Sequence, residues 1–334
     1  MKKTSEQQKK AAPKKTRVPK ELAGLVTNTE TIKYEFNMIE LPLFWRDNLI
    51  IKNMAKRYNY NEGLFLEIAP SADPESGEKI PQEYDEKVFI AIMRLFNRQG
   101  RKIETTIPEL MALAGVKIKS MDVMYARTRE SLLRLEGSSI KGKGLLYDAD
   151  KGNRIDAVED LRVLKSLLFI GAESFSEKTL AKFSSPQGRK IKEVVFLELS
   201  DLLVKNIEKK GYLNFDVEKL LGIENGTARK IYLLIEKWRG WEKTDSLKRS
   251  CRMLAGRIPL SWEDKSVSGT LKVIERAAQE LKKKGIIAGY RMTSEKLVKD
   301  TEIEFIFKEA KKESRSTGHE DLQITGVKYK GRKK

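Results

Sequence analysis

Ser266-Val-Ser-Gly-Thr-Leu-Lys-Val-Ile-Glu-Arg-Ala-Ala-Gln-Glu-Leu-Lys-Lys-Lys284, followed by Gly285, carries two patterns at once. Val267, Leu271, Ile274, Ala278 and Leu281 recur at helical spacing and form one apolar face. Ser268, Lys272, Arg276, Gln279 and Lys283 fall on a face roughly 140° away. The spacing predicts a helix from about Ser266 to Lys284, stopped by Gly285. At 1.5 Å per residue such a helix spans about 27 Å, enough to lie in a DNA major groove and cross a phosphate wall. Ser266, Ser268, Gly269 and Thr270 are small or hydroxyl-bearing, which lets the backbone approach closely where the helix dipole favours phosphate. Lys272 and Arg276 have the reach for guanine edges, and Lys283 extends the basic face.

The flanking segments give this helix a context. Upstream, Thr227 to Trp238 is amphipathic, with Ile231, Leu234, Ile235 and Trp238 inward. A second helix is expected from about Ser246 to Ala255, offering Lys248, Arg249 and Arg252 to phosphates. Downstream, Ile286 to Tyr290 and Ile303 to Phe307 read as a strand pair, with Arg291, Lys296 and Lys299 as further phosphate contacts. Helix, short helix, longer helix and hairpin is the order of a winged helix, a helix-turn-helix with a strand pair attached. A basic face on a single helix is often only solvated. The adjoining basic segments favour nucleic acid here.

The same order is legible earlier in the chain. A helix is expected from about Asp85 to Asn97. Thr106 caps a short helix with Pro108 in its first turn and Gly115 as its stop. Ser120 caps a longer one, Met121 to Glu136, carrying Arg127, Arg129 and Arg134 beside Asp122, Glu130 and Glu136. Gly137 to Tyr147, Leu161 to Ile170 and Glu193 to Leu199 supply strands. Leu113-Ala-Gly115 is echoed by Leu254-Ala-Gly256, and the matching order of four elements points to two copies of one unit. Further upstream, Tyr34 to Phe44 reads as extended and Leu64 to Ile68 as a strand. The expected class is therefore α+β: two tandem winged-helix domains with disordered basic tails. The boundaries read as a basic arm over 1–30, a first domain over 31–215, a second over 216–307 and a basic tail over 308–334.

Charge divides the chain along the same line. The 334 residues carry a net +18, which favours a polyanionic partner. Residues 1–20 hold about +7, 21–221 about zero, 222–307 about +6 and 308–334 about +5. The second domain is thus the better candidate for the main DNA reader. A single cysteine, Cys251, excludes an internal disulfide or a Cys-ligated zinc site, and a single histidine, His319, leaves no metal cluster. Both counts fit a reducing cytoplasm. No secretory leader and no bilayer-spanning apolar run is read.

Two motifs mislead. Gly137-Ser-Ser-Ile-Lys-Gly-Lys-Gly144 nearly matches a phosphate-binding loop, but it ends in Gly where magnesium needs Ser or Thr, and it follows a helix; it reads as a turn. Asp148-Ala-Asp150 lacks the later ligands of a calcium loop. A nicking tyrosine would need a His-rich metal site. No enzyme and no cofactor is expected.

Phe36-Asn-Met-Ile-Glu-Leu-Pro-Leu-Phe44 resembles the N-terminal signature of the plasmid replication initiator protein A family. Ile80-Pro-Gln-Glu-Tyr-Asp-Glu-Lys-Val-Phe-Ile-Ala-Ile-Met-Arg-Leu-Phe96 is similar to its Pro-containing loop and first long helix. Phe196 to Ser200 and Thr227 to Lys237 are similar to its later strand and its Ala-Arg-x-Leu-Tyr helix. The resemblance spans roughly residues 31–307. It implies an initiator that binds repeated sites at a plasmid origin, promotes origin opening and helicase loading, and represses its own promoter. It implies that the second winged helix reads the major groove, while the first serves dimerisation and secondary contacts. The implied partners are double-stranded origin DNA, a second copy in a dimer–monomer equilibrium, and the host replicative helicase. A winged-helix transcriptional regulator without a replication role is the alternative.

Overall fold

Four helices of equal length organise the chain in pairs. The computed structural model describes residues 30–44, 55–59, 64–76, 79–116, 120–155, 159–183, 190–294 and 298–307. It opens with strand β1 (Thr31–Glu35) and helix α1 (Phe36–Glu40), then strands β2 (Lys56–Asn59) and β3 (Phe65–Ala69). A first unit follows: α2 (Glu83–Gln99), β4 (Lys102–Thr106), α3 (Ile107–Leu113) and α4 (Met121–Gly137). After α4 come β5 (Ser139–Lys143), β6 (Tyr147–Asp148), β7 (Asn153–Arg154) and β8 (Glu159–Leu161). The unit is completed by β9 (Leu164–Gly171), the short α5 (Glu177–Leu180) and β10 (Glu193–Leu199). Helix α6 (Asp201–Glu208), strand β11 (Tyr212–Asp216) and helix α7 (Val217–Gly222) lead into the second unit. That unit is α8 (Gly226–Glu242), β12 (Ser246–Ser250), α9 (Cys251–Arg257), α10 (Val267–Lys283), β13 (Gly289–Thr293) and β14 (Glu302–Ile306).

The two units match element by element. Helices α2 and α8 have 17 residues each, β4 and β12 five, α3 and α9 seven, and α4 and α10 again 17. Their sheets share one strand order, β4-β10-β9 and β12-β14-β13, all antiparallel. The Leu-Ala-Gly echo is not part of that correspondence. Gly115 leaves its helix with φ 63°, whereas Gly256 lies inside α9, which runs on to Arg257. Aligned on the strand ends, Leu110 and Leu254 are the equivalent residues, and both are fully buried.

Local chemistry explains the long helices. In α2, three acidic residues occupy the first turn, the Asp85 carboxylate accepts the Gln82 backbone N–H at 2.6 Å, and Gly100 with φ 81° ends the helix. Its residues from Val88 to Met93 are all fully buried, which makes it the central helix of its unit. In α8 the Asn225 side chain accepts from the Ala228 N–H at 3.1 Å, and the residues from Ala228 to Ile235 are buried. Among the described residues no helix is long and apolar enough to cross a membrane, and no three His, Cys, Asp or Glu residues gather as a metal site.

Three segments depart from the sequence expectation. Tyr34 to Phe44 is not extended throughout: Phe36–Glu40 is helical, because the Glu35 carboxylate accepts the Met38 N–H at 3.1 Å and Lys230 donates to the Met38 and Leu41 carbonyls at 3.0 and 2.8 Å. Ser246–Ser250 is a strand and only Cys251–Arg257 is helix, since β12 pairs along its whole length with β14 some 50 residues later. Gly137 to Gly144 is not a turn but mostly β5, a central strand of the sheet β2-β3-β5-β8. Its glycines serve close packing: a Cβ at Gly137 would meet the Ser71 hydroxyl at 2.0 Å, and one at Gly142 would meet Leu146 at 3.3 Å. The hairpin of the first unit is therefore β9–β10, separated from α4 by this inserted sheet.

Glu35 is fully enclosed and accepts hydrogen bonds from the side-chain amides of Asn37 (3.0 Å) and Asn206 (2.7 Å) as well as from Met38 N. Burial pushes its carboxyl up to about 7, against those donors and the charge of Lys237. An unfolded Glu releases its proton near 4.5, so between that value and about 7 the folded chain holds the extra proton. Stability from this group is full below 4.5 and falls as pH rises to about 7. Unfolding midpoints of Glu35→Gln should lose this part of the pH slope; a slope equal to wild type would assign it to another group.

Candidate nucleic-acid interface

Helix α10 is held from three sides. Ile274, Ala277, Ala278 and Leu281 are buried in the core, and Val267 is buried at the start of the helix. At its start the Thr270 hydroxyl donates to the Ser261 carbonyl at 2.6 Å, and the Ser266 hydroxyl closes the preceding turn on Glu263 O at 2.8 Å. Nearer its end, Glu280 accepts the Glu224 and Asn225 backbone N–H groups at 2.8 and 3.2 Å, tying the helix to the entrance of α8. The side of the helix left over is the polar one.

Ser268, Lys272, Arg276, Gln279 and Lys283 are all exposed on that side. Lys272, Arg276 and Lys283 make no ion pair among the described residues, and neither do exposed Arg252 on α9 and exposed Arg291 on β13. This set of cations is therefore available to a polyanion without breaking any internal contact. Lys282 and Lys284, which the sequence reading passed over, are exposed beside Lys283. Their signal was the lysine run itself, at a helix end where the dipole favours positive charge.

The remaining candidates are engaged elsewhere. Thr270 is buried and Ser266 is bound up in the turn before α10. Lys248 lies on strand β12, not on a helix, and pairs with Glu302 at 2.5 Å. Arg249 pairs with Glu242 and stacks over the Trp238 ring at 4.9 Å. Lys299 pairs with Asp264 at 2.5 Å, which fastens the hairpin to the loop before α10. Lys296 lies outside the described residues.

In the first unit the equivalent helix α4 is used differently. Arg134 points inward, buried at 3% exposure, and donates to both Asp85 oxygens at 2.9 Å; reading it as a surface contact is corrected by this geometry. Arg129 pairs with Glu75 and with Glu193 (3.7 Å) and stacks over Phe169 at 4.5 Å. Arg127 is exposed and lies over the Tyr84 ring at 4.4 Å. The exposed residues of α4 are Asp122, Val123, Ala126 and Arg127, with one cation where α10 exposes four.

No family model matches the sequence, and no curated protein matches it. Among solved structures the chain is similar to domains 2 and 3 of RctB, in selenomethionine form. The TM-score is 0.53 at 14% identity, covering 81% of this chain and 98% of that one. A second structure of RctB domains 2–3 covers 79% of this chain and 95% of that one, with TM-score 0.47 and 14% identity. At this identity the first likeness concerns the fold: an α+β chain whose arrangement extends over most of both proteins.

Proposed function

We propose that this chain is a plasmid replication initiator, a sequence-specific double-stranded DNA-binding protein built from two winged helices, with α10 as its major-groove reader. The observation that carries the DNA-binding reading is the solvent side of α10, where Lys272, Arg276 and Lys283 are exposed and, like Arg252 on α9 and Arg291 on β13, make no ion pair among the described residues. The doubled unit, with one strand order in both sheets, supports the tandem winged-helix reading. The sequence resemblance supports the initiator role, and the likeness to domains 2 and 3 of RctB supports the fold on which that reading rests. In this reading the chain acts by binding, with no catalytic step and no cofactor. The first unit serves self-association and secondary contacts, the second is the principal reader, and the host helicase is recruited once the origin opens.

The test uses the full chain and a supercoiled plasmid carrying the DNA that flanks its own gene. Protection of direct repeats spaced by about two helical turns is expected, with permanganate-reactive thymines in an adjacent A·T-rich stretch. Protection of a promoter alone, without strand opening, would overturn the initiator role in favour of a transcriptional regulator. Absence of any protection would overturn the DNA-binding reading itself.

A further inference from the structure

The second unit meets α1 and α2 across a seam in which its own buried cations face oxygen acceptors. On the second unit's side are four cations: Arg229, Lys230 and Lys237 of α8 and Arg257 of α9. Facing them, α1 and α2 supply the acceptors, although Arg154 also reaches Glu40 at 3.8 Å and the half-buried Lys87 of α2 feels the charge of Arg229. Arg229, fully buried, reaches Glu86 at 3.3 Å and Glu83 at 3.5 Å on α2. Lys230 donates to the carbonyls of Met38 and Leu41 at the end of α1, where backbone acceptors lack helical partners. Lys237 pairs with Glu40 at 3.0 Å, its ammonium lying over Phe36 (4.3 Å) and Trp241 (4.8 Å). Arg257 takes the other Glu40 oxygen at 3.3 Å.

The chemistry of this seam differs from that of a core. Apolar surfaces tolerate sliding, because burial energy has no direction. A buried ammonium must instead meet particular oxygens within hydrogen-bond distance or leave an uncompensated charge. Lys237 shows the tension: burial pulls its pKa down while Glu40 pulls it up, and burial wins. Burial likewise opposes the charged Glu40 carboxyl, yet Lys237 and Arg257 outweigh it and hold it below the usual range. The pairs thus permit one pose of the second unit on the first and penalise its neighbours.

We propose that Arg229, Lys230 and Lys237 are positioning residues for DNA recognition: from α8, with no place on α10 itself, they fix the orientation of that helix relative to α1 and α2. This rests on the DNA-binding reading above. Contacts made by both units then fall in one phase along the duplex, and binding to a site that spans both depends on these side chains. Binding to the half-site read by α10 does not depend on them.

The test has a DNA-free arm and a DNA arm, both on the full chain. Spin labels on Lys141→Cys and Lys284→Cys, both exposed positions, report the distance between units. Cys251 stays unlabelled because it is buried and its thiol is pushed up to about 12. The otherwise wild-type chain should give one narrow distance distribution. Lys230→Met and Lys237→Met should broaden it, while Lys237→Arg, which keeps the charge over the rings, should not. For the DNA arm, a duplex of about 40 base pairs, roughly four helical turns, is selected from a random pool on the wild-type chain. It is also shortened to the half whose binding is lost in Arg276→Ala. Each methionine variant should bind the long duplex about 10-fold more weakly or worse, as expected when two linked contacts are uncoupled. Each should bind the short duplex like wild type.

Unchanged distances in folded methionine variants would overturn the proposal, and so would equal losses on long and short duplexes. Loss of cooperative unfolding in both variants would make these residues folding elements and equally end it. A wild-type chain that selects no duplex would sink the DNA-binding reading, while the distance arm still decides whether the seam is a lock.

Discussion

Arg276→Ala weakens binding to the selected cognate duplex by roughly 1–3 kcal/mol and leaves binding to random DNA nearly unchanged. That is the expectation for a guanidinium making a bidentate contact to guanine from the solvent side of α10. The geometry is right for it: Arg276 is exposed, makes no ion pair among the described residues, and sits mid-helix between Lys272 and Gln279. The comparison is Arg252→Ala on α9, an exposed cation on the shorter helix before the reader. A phosphate contact there weakens cognate and random DNA alike and lowers the slope of log affinity against log salt by roughly one unit. Lys248 would be a poor choice for this control, because its ammonium is already paired with Glu302. Titrations of both variants on both duplexes across a salt series separate the roles. If Arg276→Ala loses equally on cognate and random sequence, α10 is a backbone clamp and the reading element lies elsewhere.

What the sequence revealed follows from the range of the forces involved. The four 17-residue helices were legible because each carries its own periodic apolar face within a single window. The solvent side of α10 was legible for the same reason, since a helix that buries Ile274 and Ala278 must expose Lys272 and Arg276. Segments whose conformation is set by a distant partner were not. Helix α1 exists because Lys230, nearly two hundred residues away, caps its carbonyls. Strand β12 exists because β14 pairs with it, and β5 because β3 and β8 flank it. The same limit applies to the site. Nothing local to Arg129 or Lys299 tells that each is matched by a carboxylate, and nothing local tells that Arg134 is buried against Asp85, because the fold brings Glu193, Asp264 and Asp85 to them. A basic residue on a helix is a surface cation only where no acid has been folded against it, and that is a tertiary property.

Arg134 puts the distinction to a measurable test. Its guanidinium donates Nε–H and Nη2–H to the two oxygens of Asp85, both partners buried, with Glu130 reached by the remaining nitrogen at 3.4 Å. The pair joins the start of α2 to the last turns of α4, so it stabilises the packing of the first unit. Removing one partner leaves an uncompensated charge in a site closed to water. Arg134→Ala is therefore expected to cost about 3–5 kcal/mol in denaturant unfolding, the range for breaking a buried ion pair. Removing both partners removes the orphan along with the bond. Arg134→Met combined with Asp85→Leu should recover the loss except for about 1 kcal/mol, because apolar replacements of similar size often match a buried pair while the Gln82 backbone N–H loses its Asp85 cap. DNA binding supplies the second readout. Corrected for the folded fraction, the affinity of Arg134→Met with Asp85→Leu for the selected duplex should equal wild type, because this arginine faces inward. A stable double variant with weakened DNA binding would return Arg134 to the interface and undo its assignment as a packing residue.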